Sequence, residues 1–107
     1  MALERARSGE TVDLRSFGEA PGSAGTMALA STDGLKVIRL VIPKGHELPT
    51  HRANGPITFQ CLGGRVAFTS GGTTRELVAG HWLFLDAREP HSVVGLENSS
   101  VLLTVIP

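Results

Sequence analysis

Gly80-His81-Trp82-Leu83-Phe84-Leu85-Asp86-Ala87-Arg88-Glu89-Pro90-His91 is the stretch that decides the fold. A glycine opens it, an apolar run follows, and a charged bend closes on a proline and a histidine. The run is too short for a globular helix and is bounded by turn residues, so it reads as a strand. Upstream, Gly45-His46-Glu47-Leu48-Pro49-Thr50-His51 is a second glycine-led turn that ends in a histidine. Two such segments with a strand between them are how a small β-barrel brings two imidazoles together, here those of His51 and His91.

The rest of the chain supports an all-β reading. Strands are expected at residues 26–31, 35–42, 57–62, 65–70, 75–78, 82–86, 91–96 and 101–106. These runs are short, rich in β-branched residues and separated by turn residues. Asp33-Gly34 is a two-residue hairpin signal, and Gly63-Gly64 and Gly71-Gly72 mark two further turns. Helical periodicity is hard to find, so a sandwich or a closed barrel is expected. Residues 1–24 contain Pro21-Gly22-Ser23 and little periodicity. They are expected to form a loosely ordered arm, with a short strand at residues 11–17, ahead of one barrel domain at 25–107.

Bulk composition excludes several classes. A chain of 107 residues fits one domain with a real core. Ten basic and ten acidic residues cancel, and no basic stripe is present, so nucleic acid is not an expected partner. Neither a basic amphipathic segment nor an apolar run of membrane-spanning length occurs. The single cysteine, Cys61, excludes an internal disulfide and suits a reducing compartment. The opening MALERARSGE is charged and lacks an apolar h-region, so the expectation is a cytoplasmic protein.

At the level of motif spacing the chain resembles the cupins. Gly45, five residues, then His51 is similar to the opening of the first cupin motif, and Gly63-Gly64 falls where that motif closes. Gly80, five residues, Asp86, one residue, Arg88, two residues, His91 has the spacing of the second motif. The resemblance covers residues 35–107 and implies a cupin-type double-stranded β-helix, a jelly-roll barrel of two antiparallel sheets. It also implies a metal centre built from two first-motif histidines, a first-motif glutamate and the second-motif histidine. Here His51 and His91 match, whereas Ala53 and Ile57 occupy the second histidine and the glutamate positions. Asp86 and Arg88 stand where the second motif has proline and glycine.

The ligand set is therefore half gone, and catalytic metal sites usually have three protein ligands. His51 and His91 remain the candidate ligands for a divalent transition metal such as Zn, Fe, Mn or Ni. Gln60 is a possible third ligand, although strand alternation points it away from Ile57 unless a bulge intervenes. Ile57, Phe59 and Cys61, on one strand face, are expected to line the pocket beside the two histidines. A thiolate at Cys61 would need a neighbouring base. Asp86, His91 and Ser92 include the residue types of a hydrolytic triad, but His91 and Ser92 are adjacent on one strand and face opposite ways. His46 is read as exposed, His81 as a turn cap, and Arg52 and Arg88 as solvated rim residues able to draw an anion to the mouth.

Two functions follow as expectations. One is a small-molecule-binding cupin whose apolar pocket is anchored by two histidines. The alternative is a metal-dependent cupin enzyme of the dioxygenase or isomerase type, with His51 and His91 on the metal. The apolar outer strands around Val37-Ile38, Leu40-Val41-Ile42, Leu102-Leu103 and Val105-Ile106 point to a homodimer.

Overall fold

The computed structural model describes residues 6–14 and 26–107. Among them the chain forms nine strands and no helix. In chain order these are β1 Met27–Thr32, β2 Leu35–Ile42, β3 Glu47–His51, β4 Ile57–Gly63, β5 Arg65–Ser70, β6 Thr73–Val78, β7 Trp82–Leu85, β8 His91–Gly95 and β9 Ser99–Val105. They build a five-stranded sheet in the order β1-β2-β9-β4-β7 and a four-stranded sheet in the order β3-β8-β5-β6. Every pairing is antiparallel. This is the expected jelly roll with one correction: the two sheets are not closed into a barrel. Strands β6 and β7 follow one another in the chain but end up as edges of different sheets. No helix among the described residues is long and apolar enough to cross a membrane.

Alternation of side chains makes the core. On β4, Ile57, Phe59 and Cys61 are buried while Thr58 and Gln60 between them are partly exposed. On β5, Val66 and Phe68 are buried, and on β8, His91, Val93 and Gly95. Ile57, Phe59, Cys61, Val66, Phe68 and Val93, with Ile42, Leu77, Leu85 and Val101, form one cluster between the sheets. The period of two carries this arrangement, since each strand offers one face to the interior. Phe68 is wholly buried and meets Phe59 edge to face, with ring centroids 5.0 Å apart. Aromatic pairs favour that geometry, and truncating such a ring typically costs about 3–5 kcal/mol.

Turn chemistry fixes the registers. Asp33-Gly34 joins β1 to β2 as expected, with Thr32 opposite Leu35. Gly71 and Gly72 both have positive φ, 57° and 77°, and connect Ser70 to Thr73. Two consecutive left-handed residues are what a tight type I′ hairpin requires. β3 was not among the expected strands. It contains Pro49, which lacks the N–H a central strand would need, and it lies at a sheet edge, where proline is tolerated.

The expected N-terminal arm falls largely outside the described residues. Of the strand expected at residues 11–17, residues 11–14 are not strand and the remainder lies outside them. Within residues 6–14, the Ala6 N–H donates to the Leu29 carbonyl at 2.8 Å, which ties this segment to β1.

Candidate functional site

The site is built where edge strand β3 lies against β8. Glu47 pairs with Val94, Leu48 with Val93 and His51 with His91. Two residues separate Leu48 from His51, but only one separates His91 from Val93, so the register shifts between Leu48 and His51. This is a β-bulge at Pro49-Thr50. In an unbroken ladder Thr50 would stand opposite His91 and His51 would turn outward. The bulge absorbs the extra residue and so returns His51 to the face that Leu48 and His91 already share.

The anchoring of the two imidazoles is unequal. His91 is 5 % exposed. Its ring stacks almost parallel on Phe68, at 4° and a centroid distance of 5.5 Å. His51 is exposed. The two imidazoles lie 4.4 Å apart, centroid to centroid, and are tilted by 57°. Each ring is tied to its own backbone in the same way. His51 Nδ1 lies 3.0 Å from the Pro49 carbonyl, and His91 Nδ1 lies 3.1 Å from the Glu89 carbonyl. A carbonyl oxygen only accepts, so each Nδ1 must carry the proton. In the neutral ring Nε2 then keeps its lone pair. Burial holds the His91 imidazole below its ordinary pKa. The hydrogen bond to Glu89 works against that lowering, and charge on His51 adds to it.

These rings open on a cavity of about 340 Å³, walled mainly by Leu40, Leu48, Phe59, Val93 and Leu103. Apolar walls with a few convergent polar groups are the usual make-up of a small-molecule site. Phe59 lines this cavity as expected. Ile57 and Cys61 do not: they share its face of β4 and belong to the core cluster, but they do not line the cavity. Burial raises the Cys61 thiol pKa, and its Sγ lies 3.5 Å from the Gly63 carbonyl. A raised pKa and contact with a carbonyl oxygen both favour the neutral thiol over the thiolate. Gln60 does not join the histidines either. No bulge falls within the β4–β7 pairing, where Gln60 stands opposite Trp82, on the alternation of the outer face. Leu40, Leu48 and Leu103 escaped sequence reading because they come from strands β2, β3 and β9, and only the sheet order brings them together.

The remaining histidines and the rim arginines fall as the sequence suggested. His46 is exposed. His81 accepts the Val78 N–H on Nδ1 at 3.2 Å, which makes it a turn cap. Arg52 and Arg88 are exposed. Arg88 has φ of 66°, the left-handed conformation, and its N–H donates to the Ala53 carbonyl at 2.8 Å. That bond joins the β7–β8 turn to the loop after β3. Among the described residues no group of three or more His, Cys, Asp or Glu is placed to hold a metal ion. Two neutral nitrogens without a carboxylate do not fit the three-ligand requirement of a catalytic metal centre.

No family model matches the chain, and no curated protein matches it. Solved structures do. A cupin superfamily protein from Desulfitobacterium hafniense is 20% identical with a TM-score of 0.83, covering 99% of this chain and 98% of that one. An RmlC-like cupin from Desulfovibrio desulfuricans is 21% identical with a TM-score of 0.78, covering 92% of this chain and 96% of that one. A predicted oxalate decarboxylase from Thermotoga maritima is 21% identical with a TM-score of 0.67, covering 77% of this chain and 79% of that one. The fold is therefore that of the RmlC-like cupins, over nearly the whole chain.

Proposed function

We propose that the chain is a small-molecule-binding cupin whose apolar pocket takes a weakly acidic ligand on the paired histidines. One observation carries this reading. Both Nδ1 atoms are held by backbone carbonyls, so both Nε2 atoms present lone pairs beside an apolar cavity of about 340 Å³. At Nε2, a neutral imidazole of this tautomer can only accept. It suits a ligand that brings a proton, such as a carboxylic acid or an acidic hydroxyl. The shared proton lies between ligand oxygen and Nε2, and the resulting charge-assisted bond is roughly twice as strong as a neutral one. The name of the Thermotoga maritima neighbour refers to a carboxylic acid, the same ligand class. Fold alone carries no activity, because one fold hosts many chemistries.

The test is titration of the full chain with a panel of aliphatic and aromatic carboxylic acids by ligand-observed NMR and calorimetry. Saturable binding that is lost in a variant carrying His51→Ala and His91→Phe supports the reading; the phenylalanine keeps the ring stacked on Phe68. Binding that survives in that variant, or that appears for apolar alcohols as readily as for acids, overturns it.

A further inference from the structure

A second cavity, of about 450 Å³, lies away from the histidine pair. It opens along the seam where the sheets fail to close, between edge strands β6 and β7. Leu83, Phe84 and Leu85 line it on one side; Arg75, Asp86 and Glu89 supply its charges. Leu83 and Leu85 share one face of β7, while the Phe84 side chain alternates to the other and is 53% exposed. Glu89 leans over the β5–β6 turn, its Oε2 3.7 Å from where a Cβ on Gly71 would stand. Among the described residues, the side chains of Arg75, Asp86 and Glu89 make no hydrogen bond or ion pair with one another. Opposite charges line one cavity without meeting, and the space between them is wide enough for a ligand.

We infer that this cavity is a binding site for a small zwitterion of the apolar amino-acid type. The sign pattern selects the class. A simple organic cation would suit Asp86 and Glu89 but would sit beside Arg75. A simple anion would suit Arg75 but would meet two carboxylates. A zwitterion places its ammonium on Asp86 and Glu89 and its carboxylate on the guanidinium, which favours planar recognition of such groups. Its aliphatic or aromatic side chain then covers Leu83 and Leu85. The Glu89 backbone carbonyl also holds His91 Nδ1 at 3.1 Å. One residue thus faces the second site with its carboxylate and serves the first with its main chain.

The experiment is calorimetric titration with L-leucine and L-phenylalanine. It is run on the full chain and on the variant carrying His51→Ala and His91→Phe, which removes acid binding at the first pocket. Two fragments of leucine are the controls: 4-methylpentanoic acid lacks the amine, and 3-methylbutylamine lacks the carboxylate. The expected result is saturable binding of both amino acids with Kd on the order of 1 mM or tighter, unchanged in the histidine variant. Each fragment should bind about tenfold more weakly there, as should leucine to Arg75→Gln and to Glu89→Gln. Both side chains lie outside the core cluster, so melting curves of these variants should match the parent. Absence of saturable binding by either amino acid overturns the inference. So does affinity that neither substitution alters, or binding that disappears with the histidines.

Discussion

Leu48 and His51 lie three residues apart on one strand and yet face the same side of it, which regular alternation forbids. The bulge at Pro49-Thr50 reconciles them. His51 therefore meets His91 because the ladder bulges to absorb one inserted residue. Deleting Thr50 leaves His51 two positions after Leu48, on the same face and opposite His91 without a bulge. Acid binding should therefore persist in the deletion variant, with the melting temperature little changed because β3 is an edge strand, whereas His51→Ala should weaken binding by about tenfold or more. Retained affinity in His51→Ala would show that His51 does not contribute.

The lowered pKa of His91 makes stability depend on pH. Its folded value lies below the unfolded one, so in the interval between them the unfolded chain binds the extra proton. The contribution of His91 is fully present above about pH 6.5, the unfolded value, and is lost as pH falls toward the folded value. Urea unfolding at pH 7.5 and at pH 5 should show this loss in the parent. A His91→Phe variant, which cannot titrate there, should lack that part of it. Equal acid sensitivity in the two proteins would assign the effect elsewhere.

Gly64 is closed to a side chain on two counts. It has φ of 79°, and a Cβ there would lie 2.4 Å from both the Asn98 carbonyl oxygen and Ser99 Oγ. Ser99 Oγ in turn accepts the Arg65 N–H and donates to backbone carbonyls, so it has little room to yield. Gly64→Ala should cost roughly 2 kcal/mol or more, combining left-handed strain with the clash. Gly34, with open space around it and an ordinary φ, is the control, and Gly34→Ala should change stability by less than about 0.5 kcal/mol. Chemical denaturation distinguishes the two.

Arg88 holds a left-handed conformation without being glycine. Non-glycine residues in that region cost about 1–2 kcal/mol, partly returned by the smaller entropy of the unfolded chain. Arg88→Gly should therefore raise the stability by about 0.5–1 kcal/mol. The same change removes a positive charge from the rim, so anion association should slow, most visibly at low salt. A destabilised variant would mean that the arginine side chain makes contacts that outweigh its backbone strain.

Sequence reading went furthest where side-chain alternation is regular. β2 and β5 occur with the bounds expected for them, and β4 runs one residue beyond, to Gly63. The pairing of His51 with His91 was legible because each ends a glycine-led turn. β3 was not, since Pro49 argues against a strand unless the edge position is known. β6 starts at Thr73 rather than 75, because polar residues on an edge strand carry no alternating signal. Walls such as Leu40 and Leu103 depend on strands far apart in sequence, and a local period says nothing about which strands become neighbours. The seam beside β7 was equally hidden: Arg75 and Asp86 read as members of two separate strands and Glu89 as part of a charged bend, and nothing local brings the three together.

The unequal anchoring of the two imidazoles has a kinetic consequence. His91 belongs to β8, which has neighbours on both sides, and its ring rests on the buried Phe68. His51 sits on a five-residue margin strand paired on one side only. Amide exchange should report this as two protection classes within a single pair, slow at His91 and its neighbours, fast along residues 47–51. A ligand would then enter past the fast half and be retained by the slow one, so that residence time and access answer to different strands.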